Sequence, residues 1–78
     1  MARLVFLGRL EDLAGGAERQ VPGGPLAQVL ARLDPDLAGA ISDDRIRLAL
    51  NGSLVKDRAG IVLADGDELA FLPPVSGG

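Results

Sequence analysis

Pro25-Leu26-Ala27-Gln28-Val29-Leu30-Ala31-Arg32-Leu33-Asp34-Pro35 is the stretch on which the class of fold turns. Leu26, Val29, Leu30 and Leu33 stand at i, i+3, i+4 and i+7, one face of an amphipathic helix. Pro25 suits the first helical position, where no N–H is required, and Gly24 serves as a weak N-cap. Asp34-Pro35 closes the helix, because a residue before proline avoids helical backbone. Beyond it, Leu37 and Ile41 fit a short second turn laid over the core.

The flanking segments read differently. Leu4-Val5-Phe6-Leu7 is short, apolar and rich in strand formers, so it predicts a buried first strand. Glu11 to Gly16 reads as a loop with room for one helical turn. Glu18-Arg19-Gln20-Val21 predicts a second strand, polar enough for an edge, and Pro22-Gly23-Gly24-Pro25 stops it. After the helix, Ile46-Arg47-Leu48-Ala49-Leu50 alternates with period two, so Ile46, Leu48 and Leu50 share the core face. Asn51-Gly52 is a hairpin signal, since both residues tolerate positive φ, and Ser53-Leu54-Val55 returns. Ala59-Gly60 and Asp65-Gly66-Asp67 are turns. Glu68 to Leu72 is the last strand, which Pro73-Pro74 cannot continue.

Two strands, a helix and three further strands predict an α+β domain of two layers. One mixed sheet packed on one amphipathic helix is the β-grasp, or ubiquitin-like, arrangement. The expected division is a domain over residues 1–72 and an exposed tail over residues 73–78.

Composition narrows the chemistry. With 78 residues there is one small domain, and with neither Cys nor His there is no thiolate, no imidazole ligand and no imidazole base. A net charge of −3 and only two Phe argue against a nucleic-acid partner. The apolar run near the N-terminus is shorter than a signal peptide needs, and no segment approaches a membrane span. The expectation is a cytoplasmic protein with no nucleic acid and no membrane among its partners, one that carries chemistry performed on it by others.

Of three Gly-Gly pairs, two read as loop glycines, and none belongs to a phosphate-binding pattern. Gly77-Gly78 differs because it follows Pro73-Pro74 and ends the sequence. Two prolines make a stiff extended spacer as the chain leaves the sheet. Val75 to Gly78 then reach about 13 Å at ~3.3 Å per residue. Two residues without Cβ can thread a channel closed to any other side chain. Phe71 and Leu72 point to opposite faces of the last strand, so the partner-binding surface is expected at Phe71, Leu72, Pro73, Pro74, Val75 and Ser76. Asp65-Gly66-Asp67-Glu68 lacks the ligand pattern of a calcium loop and reads as a turn. Arg45, Arg47 and Arg58 read as a solvated strand face before a basic patch.

Ala49-Leu50-Asn51-Gly52, Leu63 to Phe71 and Pro73-Pro74-Val75-Ser76-Gly77-Gly78 together resemble the MoaD/ThiS sulfur carriers, with an ending most similar to the small subunit of molybdopterin synthase. Element order extends the resemblance over the whole chain, and it is specific from about Leu48 to Gly78. Two positions depart: Leu72 stands where an aromatic is frequent, and Gly8 where Ala is frequent. The resemblance implies that Gly78, with Gly77 before it, is the reacting terminus. An ATP-dependent adenylyltransferase similar to ubiquitin-activating enzymes would adenylate the Gly78 carboxylate. Sulfur from a persulfide donor would replace AMP and leave a thiocarboxylate. Inserted into the large subunit, as a heterotetramer, that sulfur would attack a pyranopterin precursor. No cofactor or metal is expected on this chain, and ATP belongs to the activating enzyme. The same resemblance leaves open thiazole or tRNA thiolation; a protein modifier and a non-covalent binding module are the rivals of other kinds.

Overall fold

Alternation of small or polar with large apolar residues sets the sheet. In the computed structural model, which describes residues 1–74, strand β1 (Ala2–Phe6) buries Ala2, Leu4 and Phe6 and turns Arg3 outward. It pairs antiparallel with β2 (Glu18–Val21), from Ala2↔Val21 to Val5↔Glu18. On its other side it pairs parallel with the last strand, β7 (Glu68–Leu72), from Arg3↔Glu68 to Phe6↔Phe71. Next come β4 (Arg47–Leu50) and β5 (Ser53–Val55), both antiparallel, giving the order β2-β1-β7-β4-β5. The last strand thus lies beside the first, and β2 is an edge, as its polar residues predict.

Helices α2 (Leu26–Ala31) and α3 (Pro35–Ile41) supply Leu26, Val29, Leu37 and Ile41 to the core facing the sheet. The fold is α+β, a mixed five-stranded sheet with helices packed on it in the β-grasp arrangement. Asn51 (φ 51°) and Gly52 (φ 86°) form the β4–β5 turn, as expected. The Asn51 side chain accepts from the Glu68 N–H at 2.9 Å and donates to Asp67 at 3.1 Å, tying the hairpin to the start of β7.

Several local readings change. Glu11 to Gly16 is not mainly loop: α1 spans Arg9–Ala14, anchored by buried Leu10 and stopped by Gly15 in left-handed backbone (φ 78°). Gly15-Gly16 was the available signal, because a C-terminal glycine frees the bonds back to Asp12 and Glu11. The helix starts one residue later than predicted. Pro25 stays extended (ψ 140°), because Gly24–Pro25 forms a two-residue strand, β3, against β6 (Val62–Leu63). A Cβ at Gly23 would stand 2.5 Å from the Leu63 carbonyl oxygen, so this crossing requires glycine. After Asp34, the expected turn is a seven-residue helix with Pro35 at its first position. Ile46, Leu48 and Leu50 do share the core face, Leu50 half-buried against the core and Ile46 standing just before β4.

Candidate functional site

The end of β7 decides where the tail begins. Leu69 and Phe71 are fully buried, while Glu68, Ala70 and Leu72 are half-exposed on the opposite face. Phe71 stacks on Phe6, ring centroids 5.6 Å apart at 12°. Its expected place on a partner surface is therefore corrected: parallel pairing with Phe6 puts it in the core. Leu72 is the member of the pair left on the outer face, opposite Arg47 of β4.

Pro73 is half-buried and Pro74 exposed. Pro73 passes close to Gly8, where an added Cβ would meet the Pro73 Cγ at 3.0 Å. Gly8 also holds φ 57° and ψ −137°, backbone that side chains disfavour. The departure from Ala at this position thus has a local reason. Leu7 donates its N–H to the Phe71 carbonyl at 3.3 Å, so the β1–α1 connection flanks the root of the tail on one side. Val75, Ser76, Gly77 and Gly78, the remaining expected site residues, lie outside the described residues.

The sheet's outer face leads to this root. Register places Val5, Ala70, Ala49 and Leu54 in one row across four strands. Leu54 is 63% exposed and Leu7 is 41% exposed. With Leu72 they make an apolar band at the base of the tail. Among these, sequence reasoning named only Leu72. The others sit at outward positions of alternating strands, and only the strand order brings them together.

Cations border the band. Arg45 and Arg47 line a hollow with Leu72, Pro73 and Pro74, and Arg9 with Arg45 lines a second hollow reaching Pro74. Arg45 grips Asp43 through its side chain (2.9 and 3.2 Å) and its N–H (2.8 Å). These bonds, the side-chain one foremost, hold the Asp43 carboxyl down at about 2. Arg58 is different: half-buried, it donates to the carbonyls of Ile41 (2.9 Å), Ile46 (2.7 Å) and Asp43 (3.3 Å). It fastens the loop before β4 and is not part of a solvated strand face. In the acidic turn, Asp67 accepts from the Ala64 N–H at 2.9 Å and Asp65 pairs with the N-terminal ammonium. Among the described residues no acidic group could hold a metal, and no helix is long and apolar enough to cross a membrane.

A family model described as the ThiS family matches residues 4–78. The molybdopterin synthase sulfur carrier subunit of Escherichia coli (strain K12) is 33% identical over 84 residues, covering the whole of both chains. Among solved structures, SAMP1 of Haloferax volcanii superposes with a TM-score of 0.75 at 28% identity, covering 99% of this chain and 98% of that one. The small archaeal modifier protein 1 of Methanosarcina acetivorans superposes with a TM-score of 0.77 at 25% identity, covering 99% and 95%.

Proposed function

Because this chain belongs to the ThiS family, whose ubiquitin-like sulfur carriers it matches in sequence and fold, we propose that it is the sulfur-carrying small subunit of a molybdopterin synthase, with Gly78 as the residue that bears the sulfur. The observation that carries the reading is the full-length likeness to a molybdopterin synthase sulfur carrier subunit, on a chain whose Pro73–Pro74 root leaves the sheet beside an apolar band.

The division of labour follows from the residues. A carboxylate repels nucleophiles, so Gly78 needs a leaving group, which a separate ATP-dependent adenylyltransferase supplies as AMP. A sulfur donor then displaces AMP. With no His and no Cys here, the acids, bases and thiols belong to those partners. This chain contributes position. Leu72, Leu54 and Leu7 offer apolar surface to the large subunit, and Pro73-Pro74 sets the direction and reach of Val75, Ser76, Gly77 and Gly78. The glycine pair admits the terminus to a narrow channel.

Reconstitution tests the reading. Thiocarboxylated protein is offered to a molybdopterin synthase large subunit with pyranopterin precursor, and in parallel to a thiazole synthase with its own substrates. Pterin dithiolene formation is expected; thiazole formation without pterin product would sink the assignment. The likeness to small archaeal modifier proteins supports a second reading, attachment of Gly78 to partner lysines. Isopeptide-linked adducts in intact-mass spectra after activation would favour it.

A further inference from the structure

Three guanidinium groups converge on the root of the tail from separate elements: Arg9 from α1, Arg45 from the loop before β4 and Arg47 from β4. Among the described residues lining these two hollows the one carboxylate is Asp43, so that lining carries two net positive charges on a chain whose net charge is −3. Arg45 and Asp43 neutralise and order each other. Arg9 and Arg47 make no ion pair among the described residues, and Arg47 stands across from Leu72 at the border of the apolar band. An adjoining groove floored by Leu48 and Val55 adds Lys56 and Arg58, with Asp44 as its one carboxylate among the described residues. Scattered surface cations are ordinarily solvated. These are gathered where any protein that receives the tail must close around it.

Resting on the sulfur-carrier reading, we propose that Arg9, Arg45 and Arg47 form a cationic collar that seats an acidic rim at the mouth of the channel receiving the tail. Opposite charge on the two surfaces steers the tail toward the opening before the apolar band makes contact. The collar therefore acts on encounter rate more than on residence time. Arg45, pre-ordered by Asp43, supplies a donor of fixed direction, and Arg9 and Arg47 supply the net charge.

The experiment measures association of the full chain with a molybdopterin synthase large subunit by stopped-flow fluorescence, at about 20 mM and about 500 mM salt. The parent, a form lacking Gly77-Gly78, Arg9→Gln/Arg47→Gln and Arg9→Glu/Arg47→Glu are compared, each checked for its parental melting temperature. The reversal variant is expected to associate about tenfold or more slowly at low salt, the neutral variant to lie between, and the differences to collapse at high salt. Equal rates and equal salt slopes in parent and reversal variant would overturn the collar alone. A slowing that persists at high salt would overturn it too, because packing and not charge would be responsible. A parent that does not bind overturns the carrier reading and the collar with it, whereas the form lacking Gly77-Gly78 is expected to associate at the parental rate, since band and collar both lie before the glycine pair.

Discussion

The two faces of β7 do opposite work with adjacent residues. Inward, Leu69 and Phe71 are fully buried and Phe71 stacks on Phe6; outward, Ala70 and Leu72 stay half-exposed and lead to Pro73 and Pro74. A side-chain period of two lets one strand serve as a wall of the core and as a base for the tail without sharing a side chain between the tasks. Fold and transfer should therefore fail separately.

The strongest break is Phe71→Ala. Loss of a buried aromatic costs about 3–5 kcal/mol, against about 5 kcal/mol or slightly more for so small a domain. The chain is expected to be largely unfolded in a urea titration followed by circular dichroism. A parental midpoint would show that the inner face tolerates the cavity and that the two faces are not divided as argued.

Deleting Gly77-Gly78 is the converse. Sulfur acceptance, read as the thiocarboxylate mass shift, is expected to vanish while the melting temperature stays within a few degrees. A fall of about 5 °C or more, on the order of 1 kcal/mol here, would mean that these residues contribute to the fold.

Gly8→Ala sharpens the border between the faces. Side chains disfavour the backbone at Gly8, at about 1–3 kcal/mol, and the new Cβ would press on Pro73 at 3.0 Å. A melting temperature lower by about 5–15 °C is expected. Part of the loss should return in Gly8→Ala/Pro73→Ala, and no recovery would assign the cost to backbone strain alone.

Leu72→Asp should leave the fold intact and weaken partner capture by about tenfold, one desolvated contact at the base of the tail. Unchanged affinity would remove the outer face from the docking surface.

The smallest effect is acid dependence. The Asp43 carboxyl is depressed to about 2 by Arg45, so its contribution is present above the ordinary carboxylate range and lost as pH falls from about 4 toward 2. The Asp43 side chain is more than a third exposed to solvent, so the effect is modest. Asp43→Asn is expected to flatten the melting temperature slightly across that window, and an unaltered profile would show that the pair contributes nothing.

Legibility divided along the range of the interactions. The helix, the Asn51-Gly52 turn, the strands at Glu18–Val21 and Glu68–Leu72 and the first strand, expected at Leu4–Leu7 and found at Ala2–Phe6, were readable because each is specified by its own period, composition or turn chemistry. Strands β3 and β6 were not, since two residues carry no period and each exists only through the other. Of the expected site residues, Leu72, Pro73 and Pro74 reach the surface, Leu72 on the outer face of β7 and the two prolines beyond its end. Phe71 does not, because strand parity says that two neighbours face opposite ways and not which way is inward.

By itself the sequence determined the order along the chain of the five main-sheet strands and the amphipathic helix between them, the lack of imidazole and thiol, and the glycine pair at residues 77 and 78. Those properties are local or compositional, and no folding is needed to state them. Only the tertiary structure decided that Phe71 packs on Phe6, that Gly8 lies against Pro73, and that Arg9, Arg45 and Arg47 meet at one root. Each of these joins residues far apart in the chain. The parallel pairing of first and last strands brings the first two together, and the helices and the loop before β4 packed around it supply the third.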